Sequence, residues 1–460
     1  MNRFAAPGPA DLVMLRAEQM AEHPDANVTI GTVLHLDGAV PDIAGLRDYV
    51  TARLDALPCL THLMTGYGPT ARWKPAAPDM TRHVRSSKVE SGPEGLQDVV
   101  GRLLRDPWPA DVPAWRMVLV HGHVADGFAL VYLARHAVQD GANMVTVMET
   151  LFGPQLRPEE YSLIARGVSS TARPSPYQVA RSTLSLLRHS RRHHRWQSAA
   201  YPLSSRRHLL WAHVPSAGLR TAARASAASA NDVYLTALAH AVSQWAEGAW
   251  PRAVGEHLPL MVPVNLRTPD EVAAPGNRLF PVRMDLPGAP MPVNQRLART
   301  RERTPALKSA GHKTVLRAAI TRLTRRLLQR LVEVSTVPGR LTVCASNLVM
   351  RQRLHYGEAA VHRIEGIIAC PPGVPLAVVA TTYGDTTSVC FRIDTALPGA
   401  DGIPDRWRQA LAGLTAQVSH AADDDPPPAG RPPAGQTMSV VRSLVNWLAR
   451  CSTAAAARRS

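Results

Sequence analysis

One heptapeptide carries most of the chemistry available to this sequence: Arg135-His136-Ala137-Val138-Gln139-Asp140-Gly141. It closes an apolar run, FALVYLARHA at 128–137, that reads as a buried strand. A histidine at the end of such a strand can hold one ring nitrogen in a cavity while the sheet fixes its backbone. Histidine also titrates nearest neutral pH, so it can take a proton from a hydroxyl or an amine. Asp140, four residues on, can hold the following loop by ion pairing. Gly141 permits backbone geometry that other residues resist. His136 is the candidate general base.

The spacing alone is weak. His420 and Asp424 repeat it by chance in the tail, and a lone histidine on an apolar strand is more often a core residue. His193-His194 stand in an arginine cluster, with Gln197 and Ser198 where Asp-Gly belongs, and read as surface. What separates His136 from these is its setting: a strand before it, Asp-Gly after it and a helical run beyond.

The elements that must position this loop can be read from periodicity. VTIGTVLHL (28–36) alternates like a half-buried strand, and Ile43, Leu46, Val50, Leu54 and Leu57 recur at helical spacing until Pro58. RMVLVHGH (116–123) and 128–137 form two strands about a turn at Ala125-Asp126-Gly127, and a short helix spans 143–152. A first lobe is thus expected over 8–165 and a basic connector over 166–206, with a helix at 177–189. A second lobe covers 207–420. It opens on the strand 211–215, then a helix capped by Asn231-Asp232 whose inner face is Val233, Leu238, Val242 and Trp245. A strand at 258–266, a helix with the stripe Leu316, Ile320, Leu323, Leu327 and Leu331, and strands at 341–345, 374–382 and 386–394 follow. A last helix begins at Pro404 and buries Trp407, Leu411, Leu414 and Val418. Residues 421–460 are a Pro-rich linker and a short basic tail.

Composition narrows the classes. A chain of 460 residues suits two lobes better than one domain, and no run of 18 apolar residues offers a membrane span. The N-terminus lacks the basic-then-apolar order of a secretory signal. Five cysteines without a CxxC pair fit a reducing cytoplasm and argue against structural zinc. The net charge of +16 points to an acidic partner: a membrane surface, the phosphates of coenzyme A or an acidic carrier protein. The charge is concentrated at 181–207, with seven arginines and no acid, and at 296–330, with nine arginines, two lysines and only Glu302. Neither segment interleaves aromatics or matches a nucleic-acid module, so no nucleic-acid partner is expected.

RHAVQDG resembles the HHxxxDG motif of the bacterial wax-ester synthase/diacylglycerol acyltransferase family, with Arg135 in place of the first histidine. The similarity runs in order along 8–420. The opening PADLVMLRAEQMAEHPDANVTIGTVLHLDG is similar to the family's N-terminus, and Pro113-Ala114-Trp115 stands where the family has Pro-Leu-Trp. SANDVYLTALAHAV (229–242) resembles its Asn-Asp motif, and VPVNLR with GNRLFPVRMDLP (262–287) its PxxxR and GN block. ASN (345–347) and TTYGD (381–385) match its late segments, although Leu348-Val349 follow Asn347 where the family commonly has Pro-Gly.

This resemblance implies an α/β fold of two chloramphenicol-acetyltransferase-like lobes forming a V, with the active-site channel between them. It implies an O-acyltransferase in which His136 deprotonates an acceptor hydroxyl that attacks an acyl thioester, with no metal, no cofactor and no covalent acyl-enzyme. Asp140 would be structural, paired with Arg267 or Arg283. Gly141 belongs to the same turn. Asn277, Ser346 and Asn347 are candidates for contact with the oxyanion or substrate. The position of Arg135 is a supporting one in the family, so activity is expected to be retained, although an arginine is large and charged enough to reshape the channel or meet an anionic donor.

Three functions compete. One joins acyl-CoA to a long-chain alcohol or diacylglycerol, from the cytoplasm with a peripheral membrane contact through 315–332 and 439–450. A condensation-type acyltransferase would instead use acyl-CoA or an acyl carrier protein as donor and a hydroxyl or amine of a natural product as acceptor. A degenerate, non-catalytic interaction protein is the third.

Overall fold

Apolar runs rich in β-branched residues form the strands of two six-stranded sheets. The computed structural model describes residues 6–66, 70–90, 92–154, 175–177, 180, 202–250, 253–255, 257–304, 310–322 and 342–423. Met1–Ala416 form one unit that holds both sheets; of the second, Gln417–Ser460, only the end of the last helix is described.

The chain opens with α1 (Pro9–Gln19), β1 (Thr29–Asp37) and α2 (Ile43–Thr51), then a two-stranded ribbon of β2 (His62–Thr65) and β3 (Arg72–Pro75). The short α3 (Met80–His83), β4 (Val84–Lys88), α4 (Pro93–Arg105), β5 (Trp115–His121), β6 (Gly127–Arg135) and α5 (Gly141–Phe152) follow. Then come β7 (Arg207–Pro215), α6 (Ser216–Ala225), α7 (Ala230–Ala249), β8 (Leu258–Asn265), β9 (Leu279–Leu286), α8 (Val293–Arg303) and α9 (Ala310–Arg322). The last elements are β10 (Val343–Val349), β11 (His355–Tyr356), β12 (Ala359–Ile367), β13 (Leu376–Tyr383), β14 (Thr386–Asp394) and α10 (Ile403–Asp423).

The first sheet runs β11-β12-β1-β6-β5-β4, the second β7-β14-β13-β10-β8-β9. Strand β6 is central to the first and is buried on both faces, which its unbroken apolar sequence requires. Its period of two divides the core. Phe128, Leu130 and Tyr132 meet Met144, Val147 and Met148 of α5, while Ala129, Val131 and Leu133 meet Leu96, Val99 and Val100 of α4. In the second sheet, Val378, Val389 and Phe391 pack on α7 and on Trp407 of α10.

Most expected elements are present, with informative differences. The helix at 43–57 ends at Thr51 and gives way to 3₁₀ turns at Leu54–Ala56 and Pro58–Leu60. Helix α7 is capped by Ser229, not by Asn231-Asp232. The Ser229 hydroxyl accepts from the Asp232 amide while the Asp232 carboxylate accepts from the Ser229 amide. Val233, Leu238, Val242 and Trp245 are buried as expected. Strand β12 was not expected: it lies at 359–367, inside the segment assigned to the second lobe, yet pairs antiparallel with β1 in the first sheet. In α9, Leu316 is fully buried, and the side chain of Ile320, next in the stripe, lies outside the described ones. The connector helix at 177–189, Leu323 to Leu331, the linker and the tail lie outside the described residues, as does the side chain of Val418.

Candidate active site

Strand β6 ends at Arg135, and His136 is the first residue of the turn that follows. Neighbours hold this turn from several sides. The His136 amide donates to the Val28 carbonyl at 2.9 Å, and the His136 carbonyl accepts from Asn277 Nδ2 at 2.7 Å. Val138 packs on Trp73 and Ala114, and its carbonyl accepts from the Gly276 amide at 2.7 Å. Tyr132 donates its hydroxyl to Gln139 Oε1 at 2.8 Å, fully buried.

The ring of His136 is set by one bond. Nδ1 lies 3.0 Å from the Gln139 carbonyl oxygen. A carbonyl only accepts, so in the neutral imidazole Nδ1 carries the proton and Nε2 keeps its lone pair. His136 lines a cavity of about 330 Å³ whose wall draws on both halves of the fold. Ile30, Gly141, Met144 and Val145 come from β1 and α5, while Met261 and Ser346 come from β8 and β10. Gly141 and Ala142 open α5 and line the same cavity. The helix end there carries partial positive charge and amides that the helix itself does not satisfy.

Asp140 does two jobs. As N-cap of α5 its Oδ1 accepts from the Asn143 amide at 2.8 Å. Its Oδ2 accepts from Arg267 Nη2 at 3.0 Å and from the Arg278 amide at 2.8 Å, and Arg267 Nε lies 3.1 Å from Oδ1. Burial by itself would raise this carboxyl. The Arg267 charge and the hydrogen bonds outweigh it and hold Asp140 below the usual carboxylate range. Arg267 is itself 1% exposed and spends its other donors on the carbonyls of Glu271, Ala274 and Gly276.

These bonds make the loop between β8 and β9 a latch on the turn that carries His136. Glu271 braces it: its carboxyl, raised by burial, is brought down to about 2 by Arg317 of α9 and by Thr268. Asn143 Nδ2 adds a bond to the Val272 carbonyl at 3.0 Å. Asp11 of α1 completes the latch, accepting from the Asn277 amide at 2.6 Å and from Asn277 Nδ2 at 2.9 Å.

Several expectations are corrected by this geometry. Arg267, not Arg283, is the partner of Asp140; Arg283 pairs with Asp285 on its own strand, Nε to Oδ1 at 3.2 Å. Asn277 is no oxyanion donor, because its side-chain amide serves Asp11 and His136. Arg135 does not line the cavity; its Nε donates to Glu18 Oε2 of α1 at 2.6 Å. A charged residue is tolerated there because α1 supplies the countercharge. Ser346, Asn347 and Gly141 do line the cavity. Asn347 Nδ2 donates to Asn231 Oδ1 at 3.1 Å, which leaves its carbonyl, an acceptor, on that amide. Cys344 is also in the wall, where burial and Cys370 push its thiol up to about 12, so it stays protonated and unreactive.

Asp11, Gln139, Asn143 and Arg278 were not singled out from sequence, and Gly276 only as part of the GN pair, although each bonds to the turn or its latch. Gly276 left the clearest trace: Gly-Asn at 276–277 signals a turn, and here its φ is +89°. Gln139 and Asn143 lie in the turn and the first turn of α5, whereas Asp11 and Arg278 come to the site only through long-range contacts.

Among solved structures, the fold is that of two-lobed acyltransferases. The wax ester synthase/diacylglycerol acyltransferase of Marinobacter aquaeolei VT8 superposes with a TM-score of 0.62 at 16% identity, over 90% of this chain and 100% of that one. The starter condensation domain of rhizomide synthetase, in complex with C8-CoA, gives 0.64 at 12% identity over 91% and 95%. The first condensation domain of the calcium-dependent antibiotic synthetase gives 0.60 at 16% identity over 91% and 97%. A Mycobacterium tuberculosis protein that carries the provisional name diacylglycerol O-acyltransferase is 28% identical over 453 residues, 85% of this chain and 87% of the relative. The model of the wax ester synthase/diacylglycerol acyltransferase catalytic domain matches residues 8–237, and the chain belongs to that family.

Proposed function

We propose that this chain is an O-acyltransferase that moves an acyl group from coenzyme A to an alcohol, with His136 Nε2 as the base. The observation that carries this reading is the hydrogen bond from His136 Nδ1 to the Gln139 carbonyl. It leaves the basic nitrogen unencumbered on a ring that lines a two-walled cavity. Nε2 takes the proton of the acceptor hydroxyl as its oxygen attacks the thioester carbonyl. The tetrahedral oxyanion is stabilised by the amides of Gly141 and Ala142 at the start of α5, with the Ser346 hydroxyl on the opposite wall. When the intermediate collapses, the carbon–sulfur bond breaks and the imidazolium returns its proton to the departing thiolate. No covalent acyl-enzyme is needed. Asp140 and Arg267 do not touch the reaction; they fix the turn that carries the histidine.

A peripheral lipid contact through 315–332 and 439–450 belongs to this reading, although Val315 and Leu316 of α9 are buried. Among the described residues, no helix is long and apolar enough to cross a membrane. A condensation-type reaction, with an amine acceptor or a carrier-protein donor, uses the same base and is the second reading. Turnover with a panel of acyl-CoAs and hexadecanol, a diacylglycerol or an amino alcohol separates the two. O-ester products support the first reading, and amide products or dependence on a carrier protein support the second.

A further inference from the structure

Helix α5 lines the cavity with Gly141, Ala142, Met144, Val145 and Thr146, and, about two turns on from Gly141, with Glu149. A carboxylate in this position is costly unless it is used. Glu149 is 2% exposed. Its Oε1 accepts from the Arg351 amide at 2.7 Å and from the Gln352 amide at 3.3 Å. Its Oε2 takes no hydrogen bond among the described residues. Glu149 forms part of the cavity wall, and Oε2 is the oxygen that serves neither amide. Burial pushes the Glu149 carboxyl up, and the two amides and the Arg351 charge offset part of that push. The reaction at His136 has no role for it.

We propose that Glu149 Oε2 binds a second hydrogen-bond donor on the acceptor substrate, so that the acceptor is a diol or amino alcohol, not a plain alkanol. This rests on the acyl-transfer reading of the same cavity. An ionised carboxylate only accepts, so it matches a hydroxyl or an ammonium and gives nothing to an ester carbonyl or a methyl end. The separation follows from the helix. Eight residues from Gly141 to Glu149 span about 12 Å at 1.5 Å per residue. Helical side chains lean towards the N-terminus, which brings the carboxylate to on the order of 10 Å from the reacting end. The second donor therefore stands several carbons away from the hydroxyl that is acylated. Val145, Leu348 and Val349 give the wall an apolar stretch here, beside Thr146 and Arg351, and that stretch suits the carbons between.

The test compares octanediol and aminooctanol with octanol, first by calorimetric binding to the protein without acyl donor, then by acyl transfer from an acyl-CoA. Wild type is expected to bind the bifunctional acceptors about tenfold more tightly, the scale of one hydrogen bond to a charged group. In Glu149→Leu the preference disappears and octanol binds at least as well as before. Glu149→Gln keeps an oxygen for the Arg351 and Gln352 amides but turns an NH2 to the cavity. It is expected to fold as wild type does by circular dichroism and to lose the preference for amine termini. Equal binding of octanol and octanediol by wild type overturns the proposal. So does a preference that survives both substitutions, or a Glu149 effect confined to the KM for acyl-CoA, which would place the donor's pantetheine arm on this carboxylate. Failure of every acceptor to be acylated would sink the acyl-transfer reading instead, and the binding preference would still be measurable.

Discussion

At the scale of single residues, the site is a histidine held by its neighbours. The Asp140–Arg267 pair is buried on both sides, and removing one member strands the other's charge. Such losses cost about 3–5 kcal/mol. Asp140→Asn is therefore expected to lower the urea midpoint strongly and to impair turnover through misplacement of His136. Its pH signature has a definite sign. The folded carboxyl lies below its ordinary value of 3.8. Stability from its ionisation is thus complete above that value and is lost as the pH falls through the lower folded one. Asp140→Asn should remove this part of the acid limb, and an unchanged limb would contradict the pairing. The motif itself was legible in the sequence because its parts are local: strand, histidine, turn, acid and glycine lie within one stretch of chain. Its partners were not. Arg267 and Arg283 look alike in sequence, and only the path of the loop after β8 brings one of them to Asp140. Glu149 fell in an expected helix, but a lone acid on an apolar helix carries no mark of which cavity it enters.

At the scale of elements, two glycines report how closely the latch and helix α5 approach their neighbours. A Cβ on Gly276 would lie 2.8 Å from Asp11 Oδ2 and 3.0 Å from the Trp73 ring, on a backbone with φ +89°. Both space and conformation forbid a side chain there. Gly276→Ala is expected to reduce thermal stability and turnover together, measured by calorimetry and thiol release; a neutral result would mean that the latch is not needed. Gly141 is different. A Cβ there would meet only the tip of Leu348, at 3.0 Å, and a leucine end can rotate. Gly141→Ala should keep the fold and narrow the cavity, raising KM for bulky acceptors, and Leu348→Ala in the same chain should restore it. Strand periodicity was readable wherever pairing is local, as in β5–β6 and β13–β14. It did not reveal where β12 goes, because a strand pairing with β1 more than 300 residues away in sequence leaves no local sign of its partner.

At the scale of the molecule, β12 joins the two halves at a second place besides the latch. Gly366 lets it lie against the second sheet: any Cβ there would overlap Thr381 Oγ1. Trp211 Nε1 of β7 donates to the Gly366 carbonyl at 3.2 Å, and His213 Nε2 lies 2.8 Å from Glu365 Oε1. His35 Nε2 approaches Glu365 Oε2 at 3.2 Å from β1. Burial raises the Glu365 carboxyl, but His213 and His35 outweigh it and bring it from 4.5 to about 2. The seam's stability from this ionisation is whole above 4.5 and declines as the pH falls towards 2. Glu365→Gln should flatten acid unfolding across that window, as followed by tryptophan fluorescence. A seam of this kind matters because the cavity takes its walls from both sides of it, and the base from only one. The central claim is that His136 Nε2 is that base. The direct measurement is thiol release from acyl-CoA with an alcohol acceptor, for wild type and His136→Ala at matched thermal stability. The account predicts a loss of about 10²–10⁴-fold in kcat/KM. Full turnover in a folded His136→Ala protein would contradict it.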